Sequence, residues 1–301
     1  MQSGYQSAGN TRHRLLVCQG GNVLECVVNV SEGRRNDVLA GLAEGVEPGH
    51  LLDVHVDRWH NRSVFTLVGT EAPRQLTRRA VECLDLDGHH GAHPRLGVVD
   101  VVPFVPLDTA TMDEAVAARD DFATWLAEEL AVPSFLYGPT GYAPGRSLPD
   151  IRRRAWQDLS PDVGPHRPHP TAGAVCVGAR GPLVAYNIWL REGDDWTIAA
   201  EITSAIRSSH VRALTLRLGD RVQISMNLID PAVVGPAEVY DRIGDLCASR
   251  QLSIARAELV GLVPAAVLDR IPSDRWSALD LDPRRTIEDR LSKGYTFSGP
   301  T

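Results

Sequence analysis

The chain has 301 residues, of which 43% are hydrophobic and 23% charged, and its formal net charge is −7. These values predict a globular protein with one large domain or two smaller ones. The negative charge argues against a nucleic-acid-binding protein, which needs a basic surface. Lys293 is the only lysine among the 31 basic residues, so any anionic ligand would be bound by arginine.

The five cysteines are scattered along the chain and form no CxxC pair, which favours free thiols in a reducing compartment. No segment approaches the ~20 consecutive apolar residues of a membrane span. Residues 1–22 are polar and lack the apolar stretch of a secretory signal, so we interpret them as a flexible tail. We therefore expect a cytoplasmic protein with no membrane partner.

The first half of the chain alternates strand and helix patterns in the order β-α-β-β-α-β. The predicted elements are Leu24–Val30, a helix near Arg35–Glu44, Leu51–Val56, Ser63–Gly69, a helix at Pro73–Leu84 and Val98–Val105. This is the order of the ferredoxin-like or split βαβ motif. A further helix follows from Thr111, where Thr111 and Glu114 have capping-box spacing, to Leu130. We predict irregular structure for Ser134–Pro182, with one helix around Asp150–Trp156.

The second half repeats the same order without a matching sequence period. Its predicted elements are Leu183–Trp189, Trp196–Ser208 (helix), Ala213–Leu218, Val222–Leu228, Ala232–Ser249 (helix) and Ile254–Val263. We therefore predict an α+β fold of two tandem ferredoxin-like subdomains, residues 23–180 and 181–293, with a tail at 294–301. A ligand cleft is expected between the subdomains, since small-molecule sites occur preferentially at such interfaces.

Residues 86–95 read LDGHHGAHPR and contain three histidines in five positions. On a helix, His89 and His93 would have the i, i+4 spacing of metal ligands. Gly88, Gly91 and Pro94 predict a loop instead, so we predict no metal site. His89 and His90 can be explained as polar loop residues. His93 is held extended at the start of a strand, where a histidine suits general acid–base catalysis.

Several segments together resemble the formimidoyltransferase (formiminotransferase) family of folate enzymes. They are HHGAHPRLGVVDVVPFVPL, LECVVNVSEGR, PHRPHPTAGAVCVGARGPLVAYN, VQISMNLID and LDPRRTIEDRL, and the likeness extends from about Leu24 to Leu291. The resemblance implies two α/β subdomains enclosing a folate tunnel, in a homodimer and without the cyclodeaminase domain. It also implies transfer of a formimidoyl group from N-formimino-L-glutamate to N5 of tetrahydrofolate, which acts as a co-substrate, with no metal.

The resemblance assigns roles to particular residues. His93, immediately before Pro-Arg, matches the family's catalytic acid–base. The crossing between subdomains matches its folate-contacting segment; the alternative is an interdomain linker, and a linker that lines the cleft can be both. The folate residues expected there are Gly164, Pro165, His166, Arg167, Pro168, His169, Pro170, Thr171, Ala172 and Gly173. Arg167 could bind a folate carboxylate with two hydrogen bonds. Arg180 could contact folate or be structural.

The sequence leaves two interpretations open for the residues expected at the amine substrate. Asn61 and Arg62 are either turn residues or substrate ligands, and Gln223 and Asn227 share one strand face that is either cleft wall or solvated surface. His55 and Ala92 stand where better-known family members have aspartate and glutamate, and we include His55 among the catalytic candidates. Asp53 or Asp57 could compensate if the strand face allows it. Alternatives are therefore transfer to or from another amine, such as glycine or a biosynthetic intermediate, or folate binding with little activity.

Overall fold

The computed structural model describes residues 23–139 and 145–299, so the predicted tail at 1–22 lies outside the described residues. The first sheet contains six strands in the order β2-β3-β1-β4-β6-β5. They are β1 (Val23–Val30), β2 (Leu51–Asp57), β3 (Arg62–Val68), β4 (Val99–Leu107), β5 (Ser134–Tyr137) and β6 (Val175–Ala179). Strands β1 to β4 form antiparallel neighbours in the order of the split βαβ motif, which confirms the predicted pattern.

Strands β5 and β6 correct the prediction that Ser134–Pro182 is irregular apart from one helix. Strand β6 pairs in parallel with both β4 and β5, and therefore widens the first sheet beyond the motif. Both strands are short and almost entirely buried, so their sequences lack the polar–apolar alternation that identifies a half-exposed strand.

The second sheet contains four antiparallel strands in the order β10-β7-β9-β8, which is again that of the split βαβ motif. They are β7 (Val184–Leu190), β8 (Val211–Leu218), β9 (Arg221–Leu228) and β10 (Ile254–Val260). The two predicted ferredoxin-like units of an α+β fold are thus present. The exact boundary between them, at residues 180 and 181, stays a prediction.

Eight α-helices lie in the described residues. They are α1 (Asn36–Glu44), α2 (Glu71–Cys83), α3 (Met112–Leu130), α4 (Leu148–Arg154), α5 (Trp196–Ile206), α6 (Pro236–Ala248), α7 (Ala265–Leu268) and α8 (Ile287–Lys293). Helix α3 begins with the predicted capping box of Thr111 and Glu114. None of the helices described is long and apolar enough to cross a membrane.

The two sheets face each other across a cavity, and the helices cover their outer faces. Residues that alternate along each strand point to the helices or to the cavity. In β1, the odd-numbered residues Glu25, Val27 and Asn29 line a cavity, whereas Cys26 and Val28 belong to the core shared with the helices. In β7, Ala185 and Asn187 line the same cavity, and the alternate residues Val184, Tyr186 and Ile188 are buried in the second core. Because side chains alternate between the faces of a strand, each sheet contributes one face to a core and one to the cavity.

The two halves also contact each other beside the cavity. A small apolar cluster joins Leu52 and Val68 of the first sheet to Leu262 and Ile287 of the second half. Next to it, a guanidinium nitrogen of Arg290 lies 3.4 Å from a carboxylate oxygen of Asp53 on β2. The C-terminal helix α8 thus fixes one edge of the first sheet to the second half.

Candidate active site

The cavity between the sheets has a volume of about 550 Å³ and is lined by residues of both halves. This volume is in the range of small-molecule sites, and a position between two domains is typical of them. Five arginines line the cavity among the described residues, namely Arg62, Arg146, Arg152, Arg180 and Arg212. A cavity with this lining is suited to an anionic ligand.

A buried ionic network forms one end of the cavity. The carboxylate of Asp100, on β4, is completely buried and accepts hydrogen bonds from Arg62 at 2.6 Å and from Arg152 at 2.5 Å. The backbone N–H of Leu96 donates to the same carboxylate at 2.8 Å. Burial alone would raise the pKa of Asp100, but the two guanidinium groups hold it well below its usual range. One carboxylate thus holds two guanidinium groups at the cavity wall, and the cluster has an excess positive charge.

His93 lies beside this cluster and lines the cavity as a half-buried side chain. Burial and the positive charges of Arg62 and Arg152 lower the pKa of His93 from 6.5 to about 3. Its Nδ1 lies 2.8 Å from the backbone oxygen of Pro94. Because a carbonyl oxygen only accepts, we assign the ring proton to Nδ1, which leaves the lone pair on Nε2. The ring is therefore a neutral base at physiological pH.

The loop that carries His93 is held from within by Arg95. The Arg95 guanidinium donates to the backbone oxygens of Gly91 and His93, each at 2.7 Å, and to that of His89 at 3.1 Å. At Gly91 an added Cβ would lie 2.1 Å from the backbone oxygen of His60, so only glycine fits between this loop and the β2–β3 turn. These contacts fix the backbone on either side of the catalytic candidate.

A hydrogen-bonded chain crosses between the two halves at the same cavity. His60 Nε2 lies 3.0 Å from the side-chain oxygen of Gln223 on β9 and 3.6 Å from the carboxylate of Asp57. The Gln223 amide in turn donates to Glu258 at 3.4 Å. The His60 ring packs edge-on against His93, with ring centroids 6.0 Å apart. These hydrogen bonds therefore connect the second sheet to His60, whose ring contacts His93.

His55 also lines the cavity, on strand β2. Burial lowers the pKa of His55, while the nearby carboxylate of Glu258 acts in the opposite direction. Asp53, one of the two predicted compensating carboxylates, instead pairs with Arg290, and Asp57 accepts hydrogen bonds from the backbone N–H groups of its own turn. The carboxylate with the largest influence on His55 thus comes from the second half of the chain.

The structure brings some of the predicted site residues to the cavity and not others. His93, His55, Arg62, Arg180 and Asn227 line it. Asn61 does not, because its side chain joins the backbone of Gly33 and His90 and stabilises a turn with a φ of 47°. Gln223 is buried in the hydrogen-bonded chain described above.

The predicted folate segment, residues 164–173, contributes no side chain to the described lining of the cavity. Its C-terminal part pairs with the residues after Arg95 instead. The N–H of Val98 donates to the backbone oxygen of Ala172 at 3.0 Å, and that of Ala174 donates to Leu96 at 3.0 Å. Most of the remaining segment, including Arg167, is exposed. The segment therefore braces the start of β4, and its contact with folate stays a prediction.

Several polar residues at the cavity were not predicted as site residues, among them Glu25, His60, Asp100 and Arg152. Two of them carried a signal in the sequence, because Glu25 and Asp100 are single carboxylates within apolar strands. A charge in such a strand is rarely buried without a partner or a function. Arg152 could not be recognised, since it is one of three consecutive arginines in a short helix. No group of three or more His, Cys, Asp or Glu side chains converges as metal ligands would in the part of the chain described.

A cavity lined by arginines between two facing sheets is suited to a small anionic molecule, and comparisons with known proteins specify the class of the protein. A family model described as the N-terminal subdomain of the formiminotransferase domain matches residues 23–180. Glutamate formimidoyltransferase of Streptococcus pyogenes serotype M1 is 35% identical over 290 residues, which cover 88% of this chain and 97% of that protein. The glutamate formimidoyltransferase of Thermoplasma acidophilum is 33% identical, covering 90% of this chain and 98% of that protein.

The formimidoyltransferase-cyclodeaminase of Sus scrofa is also similar, with 35% identity over 275 residues. The matched region is 82% of this chain but only 51% of that longer protein. The chain therefore belongs to the formiminotransferase family and is a transferase.

Titration of the His93 ring tests the electrostatics of the site. We expect the ring to remain neutral down to pH 5 in an NMR titration, because burial and two guanidinium groups oppose its protonation. Arg152→Gln removes one of those positive charges and should raise the midpoint. Arg154→Gln, two residues away in an exposed pair with Asp158, should leave the midpoint unchanged. A wild-type midpoint near 6.5 would contradict this description.

Substitution of Asp100 tests the buried network. Asp100→Asn leaves two guanidinium groups without their shared carboxylate and should lower the free energy of unfolding by about 3–5 kcal/mol. Asp158→Asn removes an exposed i, i+4 pair and should change it by no more than about 0.5 kcal/mol. Urea unfolding followed by circular dichroism measures both, and equal small losses would show that the network is not stabilising.

Proposed function

We propose that the chain catalyses folate-dependent formimidoyl transfer, between N-formimino-L-glutamate and N5 of tetrahydrofolate. The observation that carries this proposal is the neutral His93 ring, set beside Arg62 and Arg152 in a cavity between the two sheets. The named activity of the relatives from Streptococcus pyogenes and Thermoplasma acidophilum supports the glutamate-derived substrate. Tetrahydrofolate follows from the family resemblance.

The reaction needs one group that moves a proton twice. N5 attacks the formimidoyl carbon, so a C–N bond forms and N5 must lose its proton. The bond from that carbon to the glutamate nitrogen then breaks, and the departing nitrogen must gain a proton. The lone pair on Nε2 of His93 can accept the first proton and return it to the leaving amine. The low pKa of His93 keeps the ring unprotonated at neutral pH, so its Nε2 is free to accept a proton. The same low pKa means that the imidazolium, once formed, readily gives its proton to the leaving amine.

The charge of the cavity matches the proposed substrates. N-formimino-L-glutamate carries two carboxylates and folate carries others on its glutamyl part. Arg152 and Arg62 offer guanidinium groups to such carboxylates at the His93 end, and Arg212 offers another from the second sheet. Their planar donors can bind a carboxylate with two hydrogen bonds, which orients the substrate as well as attracting it.

A second candidate function is transfer to or from a different amine. The observation that favours it is His55, which lines the cavity where the family resemblance leads to an aspartate. Replacing a carboxylate by an imidazole removes a negative charge that would attract a cationic part of the amine. The homodimer implied by the resemblance and the cytoplasmic location predicted from the cysteines and the N-terminal sequence also stay predictions.

Substitution of His93 tests the proposed mechanism. His93→Ala should lower kcat for formimidoyl transfer by roughly 10²–10⁴-fold, which is the usual contribution of a general acid–base. Its affinity for 5-formyltetrahydrofolate should stay close to that of the wild type. His90→Ala is the matched control, because His90 is an exposed histidine of the same loop. Equal turnover by wild type and His93→Ala would remove this residue from the mechanism.

An amine panel identifies the substrate. Purified protein with tetrahydrofolate is assayed with N-formimino-L-glutamate and then with formimino derivatives of glycine and other amines. We expect the glutamate derivative to give the highest kcat/KM. A higher value for another derivative would establish the second candidate, and folate binding with no transfer to any amine would contradict both.

A further inference from the structure

Glu25 is a buried carboxyl group in the cavity that the proposed mechanism does not use. It lies on β1, is only 5% exposed and lines the cavity. No hydrogen bond or ion pair joins its side chain to another described residue, although the positive charge of Arg180 acts on it. Burial raises the pKa of Glu25 to about 7, an effect that Arg180 only partly offsets. A buried carboxyl group without a partner is costly unless a ligand supplies one.

Two other groups lie at the same end of the cavity. Thr66 lines it from β3, and its hydroxyl oxygen is buried without a hydrogen-bond partner among the described residues. Glu25 is paired in register with Val68, so Thr66 is its diagonal neighbour on the same sheet face, about 7 Å away. Arg180, directly after β6, contributes a guanidinium group to the lining. This end of the cavity thus contains a hydrogen-bond acceptor, the carboxylate of Glu25, and a donor, the guanidinium of Arg180. The hydroxyl of Thr66 can act as either.

The Glu25 end and the His93 end are separated by a definite length of strand. Asn29 of β1 accepts a hydrogen bond from Arg62, the partner of Asp100. Glu25 and Asn29 lie four residues apart on the same strand face, which corresponds to about 13 Å. A flat bicyclic ring with hydrogen bonds at both edges spans such a distance between side chains.

We propose that Glu25, with Thr66 and Arg180, binds the 2-amino-4-oxo edge of the pterin ring of tetrahydrofolate. The inference rests on the proposed function and adds the means by which folate is recognised. The carboxylate accepts hydrogen bonds from the 2-amino group and N3–H, two donors that point the same way. Thr66 or Arg180 donates to the 4-oxo oxygen. N5 belongs to the second ring of the pterin, away from the 2-amino group, and faces His93.

Binding of 5-formyltetrahydrofolate measured by calorimetry tests the proposal. Glu25→Gln keeps the shape of the side chain but replaces one acceptor oxygen by a donor, and should weaken binding roughly 10- to 100-fold. Glu288→Gln is the matched control. Glu288 acts on Glu25 electrostatically but does not line the cavity, so its removal should leave binding nearly unchanged. Unchanged affinity in a folded Glu25→Gln variant overturns the proposal.

A ligand change provides a test that needs no folded variant. The wild type should bind the 2-desamino-2-methyl analogue of 5-formyltetrahydrofolate at least tenfold more weakly than the parent compound. Equal binding of both compounds by the wild type overturns the assignment of Glu25 while leaving the proposed function intact. No binding of either compound, together with no transfer to any amine, overturns the proposed function as well.

Discussion

The carboxylate of Asp100 is the constraint on which the site depends. It is fully buried within β4 and holds Arg62 of β3 and Arg152 of α4 at the cavity wall. Because two guanidinium groups share one carboxylate, the cluster keeps an excess positive charge beside His93. Arg152 also donates to the Pro94 backbone oxygen that fixes the His93 ring. The same buried network therefore joins three elements of the fold and sets the charge around His93.

The duplicated architecture explains why the cavity exists. Each sheet covers one face with helices, so its other face must be covered by the partner sheet or by ligand. The two facing sheets do not pack tightly along their whole length; apolar contacts and the Asp53–Arg290 pair close one side, and the His60–Gln223 bond joins the halves next to His93. The space that remains has the proposed transfer chemistry at one end and Glu25 at the other.

Regular alternation and local chain signals made much of the fold predictable. Both split βαβ units and the loop character of residues 86–95 followed from them. Strands β5 and β6 did not, because short buried strands in a stretch rich in proline and glycine show no alternation. At the site, His93 could be found from its proline-bounded loop. Arg152 could not, because only tertiary packing selects it from Arg152, Arg153 and Arg154 to bind Asp100.

A crystal structure of the protein with 5-formyltetrahydrofolate would test the central claim, that the positively charged cavity between the two sheets binds the pterin with N5 at a neutral His93. We expect the pterin ring between the sheets, with the substituted N5 within about 4 Å of Nε2 of His93 and the 2-amino group hydrogen-bonded to Glu25. Binding of the folate outside this cavity, for example along the exposed part of residues 164–173, would contradict the account.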